Sequence, residues 1–140
     1  MSDSFDGLKV MVVDDSKTIR RTAETLLKKA GCEVVTAEDG FDALAKIVDN
    51  RPDVVVDIVN ASQLERNLYL TLLLIKLQVN LVIALNMYDL VKARGDQIDI
   101  EGLSKRLGAQ IVATTATRKE GIEDLKDAIL AAIPQHSPHS

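Results

Sequence analysis

The sequence predicts an α/β protein: a three-layer, doubly wound, five-stranded parallel sheet of flavodoxin-like order 2-1-3-4-5, as a single domain over residues 1–140. Three observations carry this. Short β-branched runs alternate with longer stretches of helical periodicity, and strands that alternate with helices form a parallel sheet with right-handed crossovers. The runs Val54–Val56 and Leu81–Leu85 are apolar throughout, as strands covered on both faces are. Finally, 140 residues with 46% apolar and 27% charged content suit one ordinary core.

The elements follow in order. Lys9–Asp14 (KVMVVD) is the first strand. Lys17–Ala30 has helical spacing through Ile19, Ala23, Leu26 and Leu27, with Ser16 to cap it and Gly31 to end it. Glu33–Ala37 is a second, shorter strand, and Phe41–Val48 a helix stopped by Asn50 and Pro52. Asp53–Val59 is the third strand and Leu64–Leu77 a strongly apolar helix. Leu64, Leu68, Leu72 and Ile75 are expected on the sheet, with Leu70, Leu73, Leu74 and Leu77 crowding the other side. An exposed remainder there would favour a homodimer through this helix. Leu81–Asn86 is the fourth strand, Ile100–Leu107 a helix ended by Gly108, Gln110–Thr115 the fifth strand and Ile122–Ile133 the last helix. Residues 134–140 read as a flexible tail, and His136 and His139 as part of it rather than as a metal site.

Composition excludes several classes. A net charge of −4 supplies no basic field for nucleic acid. The most apolar run, Leu70–Ile75, is far shorter than the ~20 residues of a membrane span. No signal peptide is visible, so a cytoplasmic location is expected. Cys32, the single cysteine, sits between Gly31 and a strand and reads as a core residue. In open parallel sheets, ligands bind beyond the carboxyl ends of the strands, beside the switch in strand order. The loops Asp14–Lys17, Ala37–Gly40, Ile58–Gln63, Asn86–Asp89 and Thr114–Lys119 therefore hold any site.

The stretch from Leu8 to about Pro52 carries Val-Asp-Asp-Ser, then a helix, then Glu-Asp-Gly-Phe-Asp-Ala-Leu. It resembles a CheY-like response-regulator receiver domain, close to those of twitching-motility regulators. The resemblance implies phosphorelay chemistry, with Asp14 and Asp15 as the acidic pair and Asp57 as the only candidate phosphoacceptor. Together these would hold Mg²⁺, which takes hard oxygen ligands and neutralises an incoming phosphoryl group. The chain departs from receivers in three places. Asp57 follows Pro52 one residue too soon, and one residue reverses the facing of a strand side chain, so it faces either the acidic pocket or a helix layer. Asn86-Met87 stands where receivers have Ser or Thr. Thr114-Thr115-Ala116 stands where they carry a lysine, whose charge-assisted contact to a phosphoryl group is worth about 1.5–3 kcal/mol. What remains is a vestigial, weak Mg²⁺ site at Asp14, Asp15 and Asp57. The plainer alternative for the first two is a solvated acidic turn at a helix N-terminus.

From Asp53 to about Ile133 the chain carries Leu-Glu-Arg-Asn-Leu-Tyr-Leu-Thr, Ala-Leu-Asn-Met-Tyr-Asp and Thr-Thr-Ala-Thr. This part resembles the cytosolic G domain of FeoB-type ferrous-iron transporters. The resemblance implies that Asn86 and Asp89 read guanine, with Thr115 and Ala116 near the base. The phosphate loop G-x-x-x-x-G-K-[ST], whose backbone N–H groups and lysine hold the phosphates, is absent from these residues, and Asp14-Asp15-Ser16-Lys17 follows the first strand. The only D-x-x-G string, Asp99–Gly102, comes after the base motif and reads as a helix start. A guanine contact would then be millimolar at best, about 4 kcal/mol.

The two resemblances meet near Pro52–Ile58. Together they imply an engineered chimera, about 8–52 receiver-like and about 53–133 G-domain-like. No intact native activity is expected, no enzyme, no required cofactor or partner, and no nucleic-acid or membrane partner. The alternatives are a residual Mg²⁺-binding phosphoacceptor domain and a residual weak guanine-nucleotide binder. In a chimera Ile19, Ala23, Leu26 and Leu27 meet strands of the other parent, at about 1–3 kcal/mol for each misfit.

Overall fold

A computed structural model of the chain describes residues 7–61, 64–86, 93–95, 99–113, 127–129 and 131–132, without the side chains of 64–67. Its strands are β1 (Lys9–Val13), β2 (Glu33–Ala37), β3 (Val54–Asn60), β4 (Leu81–Asn86) and β5 (Gln110–Ala113). All pair in parallel, in the order β2-β1-β3-β4-β5. The helices are α1 (Lys17–Lys29), α2 (Gly40–Asn50), α3 (Leu64–Lys76) and α4 (Ile100–Leu107). Residues 127–129 and 131 are also helical. The remainder of the expected Ile122–Ile133 helix, and residues 134–140 with His136 and His139, lie outside the described residues. Among the described residues no helix is long and apolar enough to cross a membrane.

Local chemistry places the helix ends. Ser16 Oγ accepts from the Ile19 N–H at 3.3 Å and starts α1. Gly31, at φ 104°, turns the chain just past its end, a backbone that L side chains rarely adopt. Asp39 accepts from the Asp42 N–H at 2.8 Å, while the Asp42 carboxylate accepts from the Glu38 N–H at 3.1 Å. This reciprocal pair starts α2. That helix ends at Asn50, two residues later than expected, with Arg51 at φ 45° before Pro52. Asp99 accepts from the Gly102 N–H at 3.0 Å, so the D-x-x-G string is a helix cap. Gly108, at φ 70°, ends α4.

Strand alternation divides the sheet into two faces. Val10, Val12, Val54, Val56, Ile58, Val82 and Ala84 share one with Ala23 and Leu27 of α1, Cys32, Ala128 and Ile129. Ile19 packs against this group. Met11, Val13, Val55, Val59, Leu81, Ile83 and Leu85 share the other with Ala43 of α2 and Leu74 of α3. Each core draws residues from both sides of Pro52. At the entry to the β1–β3 pair, the Asp53 carboxylate accepts from the Lys9 N–H and the Lys9 carbonyl accepts from the Asp53 N–H, both at 2.8 Å. Asn80 adds a side-chain bond to the Asp53 carbonyl at 2.9 Å.

The facing of α3 corrects the expectation that Leu72 lies on the sheet and Leu74 away from it. Leu74 is fully buried and Leu72 is 47% exposed. The helix is apolar nearly all round, so its periodicity carries no direction. The direction comes from Thr71, which is buried and donates to Asp57 of β3. Leu74 lies three residues on, on the same side of the helix. Tyr69 and Leu77 are left exposed with Leu72.

This rotation has a measurable consequence. Leu74→Ala is expected to cost about 2–5 kcal/mol, and Leu72→Ala about 0.5 kcal/mol or less, in urea unfolding followed by circular dichroism. Equal losses, or the reverse order, would contradict the facing described.

Candidate functional site

β1 ends at Val13, and the chain turns at Asp14, whose N–H donates to the Ala37 carbonyl at 3.1 Å. Arg20 of α1 closes the turn by donating to the Asp14 carbonyl at 2.7 Å. The Asp14 carboxyl is half-buried and Asp15 is exposed. Burial is the main cause that pushes the Asp14 carboxyl up to about 7, helped by the hydrogen bond and charge of Asp15. Hydrogen bonds with the backbones of Asp15 and Ser16 oppose the rise.

Asp57 lies level with Val13 in the β1–β3 register, but β3 continues beyond it to Asn60. Asp57 is thus inside a strand rather than after one. It alternates with Val55 and Val59 on the α2/α3 face, is 3% exposed, and accepts from Thr71 Oγ1 at 2.7 Å. Burial pushes its carboxyl up to about 6, against the lowering effect of the Thr71 bond.

Beside these groups a cavity of about 680 Å³ opens at the carboxyl ends of β1 and β3. Asp14, Asp15, Glu38, Asp39 and Asp57 line it together with Phe41 and Leu44 of α2 and Tyr69, Leu70 and Leu73 of α3. Among the described residues of its lining there is no lysine or arginine. The three acids expected to hold Mg²⁺ share this cavity. Yet among the described residues no three His, Cys, Asp or Glu side chains group closely enough to hold a metal ion. Asp14, Asp15 and Asp57 therefore do not fit a three-carboxylate site: Asp57 is drawn under the helix layer and held by Thr71.

The base-recognition candidate lies elsewhere. Asn86 ends β4, is buried, and pairs in register with Asn60. By strand alternation it shares the α1 face with Val82 and Ala84, opposite the face that carries Asp57. Asp89, Thr115 and Ala116 lie outside the described residues. The turn that would meet a nucleotide's phosphates presents Asp14 and Asp15 in place of a lysine and a glycine-rich loop, and does not fit them. Sequence reasoning missed Thr71. Its signal was a single hydroxyl within the apolar run Leu70–Ile75, since a buried hydroxyl requires a partner.

Comparison with known proteins finds relatives of both kinds that the sequence resembles. The profile of ferrous iron transport protein B matches residues 33–129. Protein PilG of Pseudomonas aeruginosa is 72% identical over 60 residues, which are 42% of this chain and 44% of that protein. The Fe(2+) transporter FeoB of Salmonella typhimurium is 46% identical over 94 residues, 67% of this chain and 12% of the transporter. The chain thus spans less than half the length of either relative, and the two matched stretches overlap within it. Among solved structures, the FeoB G domain of Methanococcus jannaschii superposes with a TM-score of 0.78 at 32% identity, covering 92% of this chain and 99% of that one. NFeoB of S. thermophilus, solved with mGMPPNP, shares the fold at a TM-score of 0.78 and 22% identity, over 90% of this chain and 61% of that one.

The buried Asp57 makes stability depend on pH. Its carboxyl titrates near 6 in the folded chain against an ordinary 3.8. Between those values the folded state binds more protons than the unfolded one, so stability falls as pH rises through the window and levels above it. Asp57→Asn removes this dependence and keeps an oxygen for Thr71. Relative to the parent, its unfolding free energy is expected to rise by about 3 kcal/mol from about pH 3 to about pH 8. A pH-independent difference in urea unfolding would contradict the burial described.

Proposed function

The chain belongs to the ferrous iron transport protein B family through residues 33–129, and on that premise we propose that it is a chimera whose receiver-like first part completes a G-domain fold without restoring its nucleotide chemistry. The observation that carries this reading is the cavity at the carboxyl ends of β1 and β3, whose described lining residues include five carboxylates and no lysine or arginine. G-domain catalysis rests on backbone N–H groups and a lysine that cradle the β and γ phosphates. Here the turn after β1 offers two carboxylates instead, and like charge repels the phosphates before they reach the sheet. Asn86 is left as a fragment of base recognition without the groups that supply most of the affinity. The reading makes the chain a non-catalytic, cytoplasmic scaffold.

Receiver chemistry is blocked on the same grounds. A phosphoacceptor carboxylate needs a cation beside it to neutralise the transferred group, and the described lining residues supply none. Asp57 is 3% exposed and bonded to Thr71. No resident cofactor belongs to this reading, and any Mg²⁺ contact is confined to the Asp14–Asp15 pair.

Two measurements test it. Incubation with Mg²⁺ and acetyl phosphate is expected to leave the intact mass unchanged, and stoichiometric phosphorylation at Asp57 would overturn the inert reading. Millimolar GDP is expected to leave Tm unchanged to within a degree or so, because a millimolar contact is worth only about 4 kcal/mol at 1 M standard state and almost nothing at a ligand concentration near its Kd. Micromolar binding would contradict it.

A further inference from the structure

Neither parental chemistry accounts for the shape of the cavity. At about 680 Å³ it falls within the roughly 300–1,000 Å³ of small-ligand pockets. Its walls are apolar: Phe41 and Leu44 from α2, with Tyr69, Leu70 and Leu73 from α3. Phe41 and Tyr69 are 87% and 74% exposed, so two aromatic rings stand unburied beside the opening. Asp57 is the most buried acid in the lining. One of its oxygens accepts from Thr71, and the other accepts no hydrogen bond from the described residues. Burying a carboxylate without a paired cation is costly, and the described residues of the lining supply no cation.

These features select one ligand class. An anion would meet five carboxylates. A bare divalent cation would leave the apolar walls unused and finds no three-donor group among the described residues. We propose that the cavity binds a small organic ammonium with an aromatic or alkyl body, its charged end against Asp57 and its body between the Phe41–Leu44 and Tyr69–Leu73 walls. Ammonium hydrogen bonds to a carboxylate are charge-assisted, and aromatic faces attract both the cation and an apolar body. The exposed carboxylates of Asp15, Glu38 and Asp39 add attraction at the mouth without enclosing the ligand.

The test compares 2-phenylethylammonium with its near-isosteres 2-phenylethanol and 3-phenylpropionate, by amide NMR on the isotope-labelled chain, since no tryptophan is present for fluorescence. The ammonium is expected to shift the amides of 13–15, 38–41, 57–58 and 69–73 saturably and to bind at least about tenfold tighter than the alcohol, equal to about 1.4 kcal/mol. The carboxylate is expected to bind no more tightly than the alcohol. Asp57→Asn is expected to remove that preference for the ammonium. Phe41→Ala, at a position the core does not use, is expected to weaken all binding several-fold with the fold intact, so the proposal stays testable if the Asp57 variant misfolds. Equal binding of ammonium and alcohol would overturn the proposal, as would Phe41→Ala leaving ammonium affinity unchanged. Concentration-dependent shifts of the same amides in the ligand-free chain would also overturn it, assigning the face to a second copy of the chain.

Discussion

Everything in this molecule depends on the pairing of β1 with β3. The two strands come from opposite sides of Pro52, and their register runs from Val10 beside Val54 to Val13 beside Asp57. Reciprocal bonds between Lys9 and Asp53 set where it begins. Because strand side chains alternate, this register assigns Val54, Val56 and Ile58 to the core under α1 and Val55 and Val59 to the core under α2 and α3. A slip of one residue would send each set to the wrong layer and carry Asp57 with it. Residues from both sides of Pro52 therefore share each hydrophobic core.

The same register explains the chemical character of the site. It brings Asp57 level with the end of β1, where Asp14 and Asp15 turn toward α1, so the acids gather around one cavity. It also leaves Asp57 within the strand, covered by α3 and bonded to Thr71. Burial keeps its proton and that of Asp14 bound to higher pH than usual. Among the described residues, the lining of this cavity carries five carboxylates and no lysine or arginine. Asn86 sits on the opposite face of the sheet from Asp57. The residues that the two resemblances single out are thus divided by the sheet itself.

Local features were legible in the sequence because each rests on neighbours a few residues apart. Ser16 and Asp99 cap helices through bonds to residues three positions on. Gly31 and Gly108 end them with backbone conformations that other residues resist. The alternation of β-branched runs with amphipathic stretches led to the parallel sheet and its strand order. Cys32 in the core followed from its setting between Gly31 and a strand. The acids at the sheet mouth were legible only as types, through resemblance and through their place after β1.

The direction in which those groups face was not legible, since it depends on partners distant in the chain. In the Leu64–Lys76 helix, apolar residues on nearly every side left the rotation open, and a hydroxyl–carboxylate bond between Thr71 and Asp57 set it. Phe41 and Tyr69 read as ordinary helix residues until α2 and α3 placed them at one cavity. Composition, periodicity and capping determine which elements form and in what order they stack, because those are local energies. Which side of the sheet each acid and each leucine occupies comes from strand register and from burial, which exist only once distant segments have met.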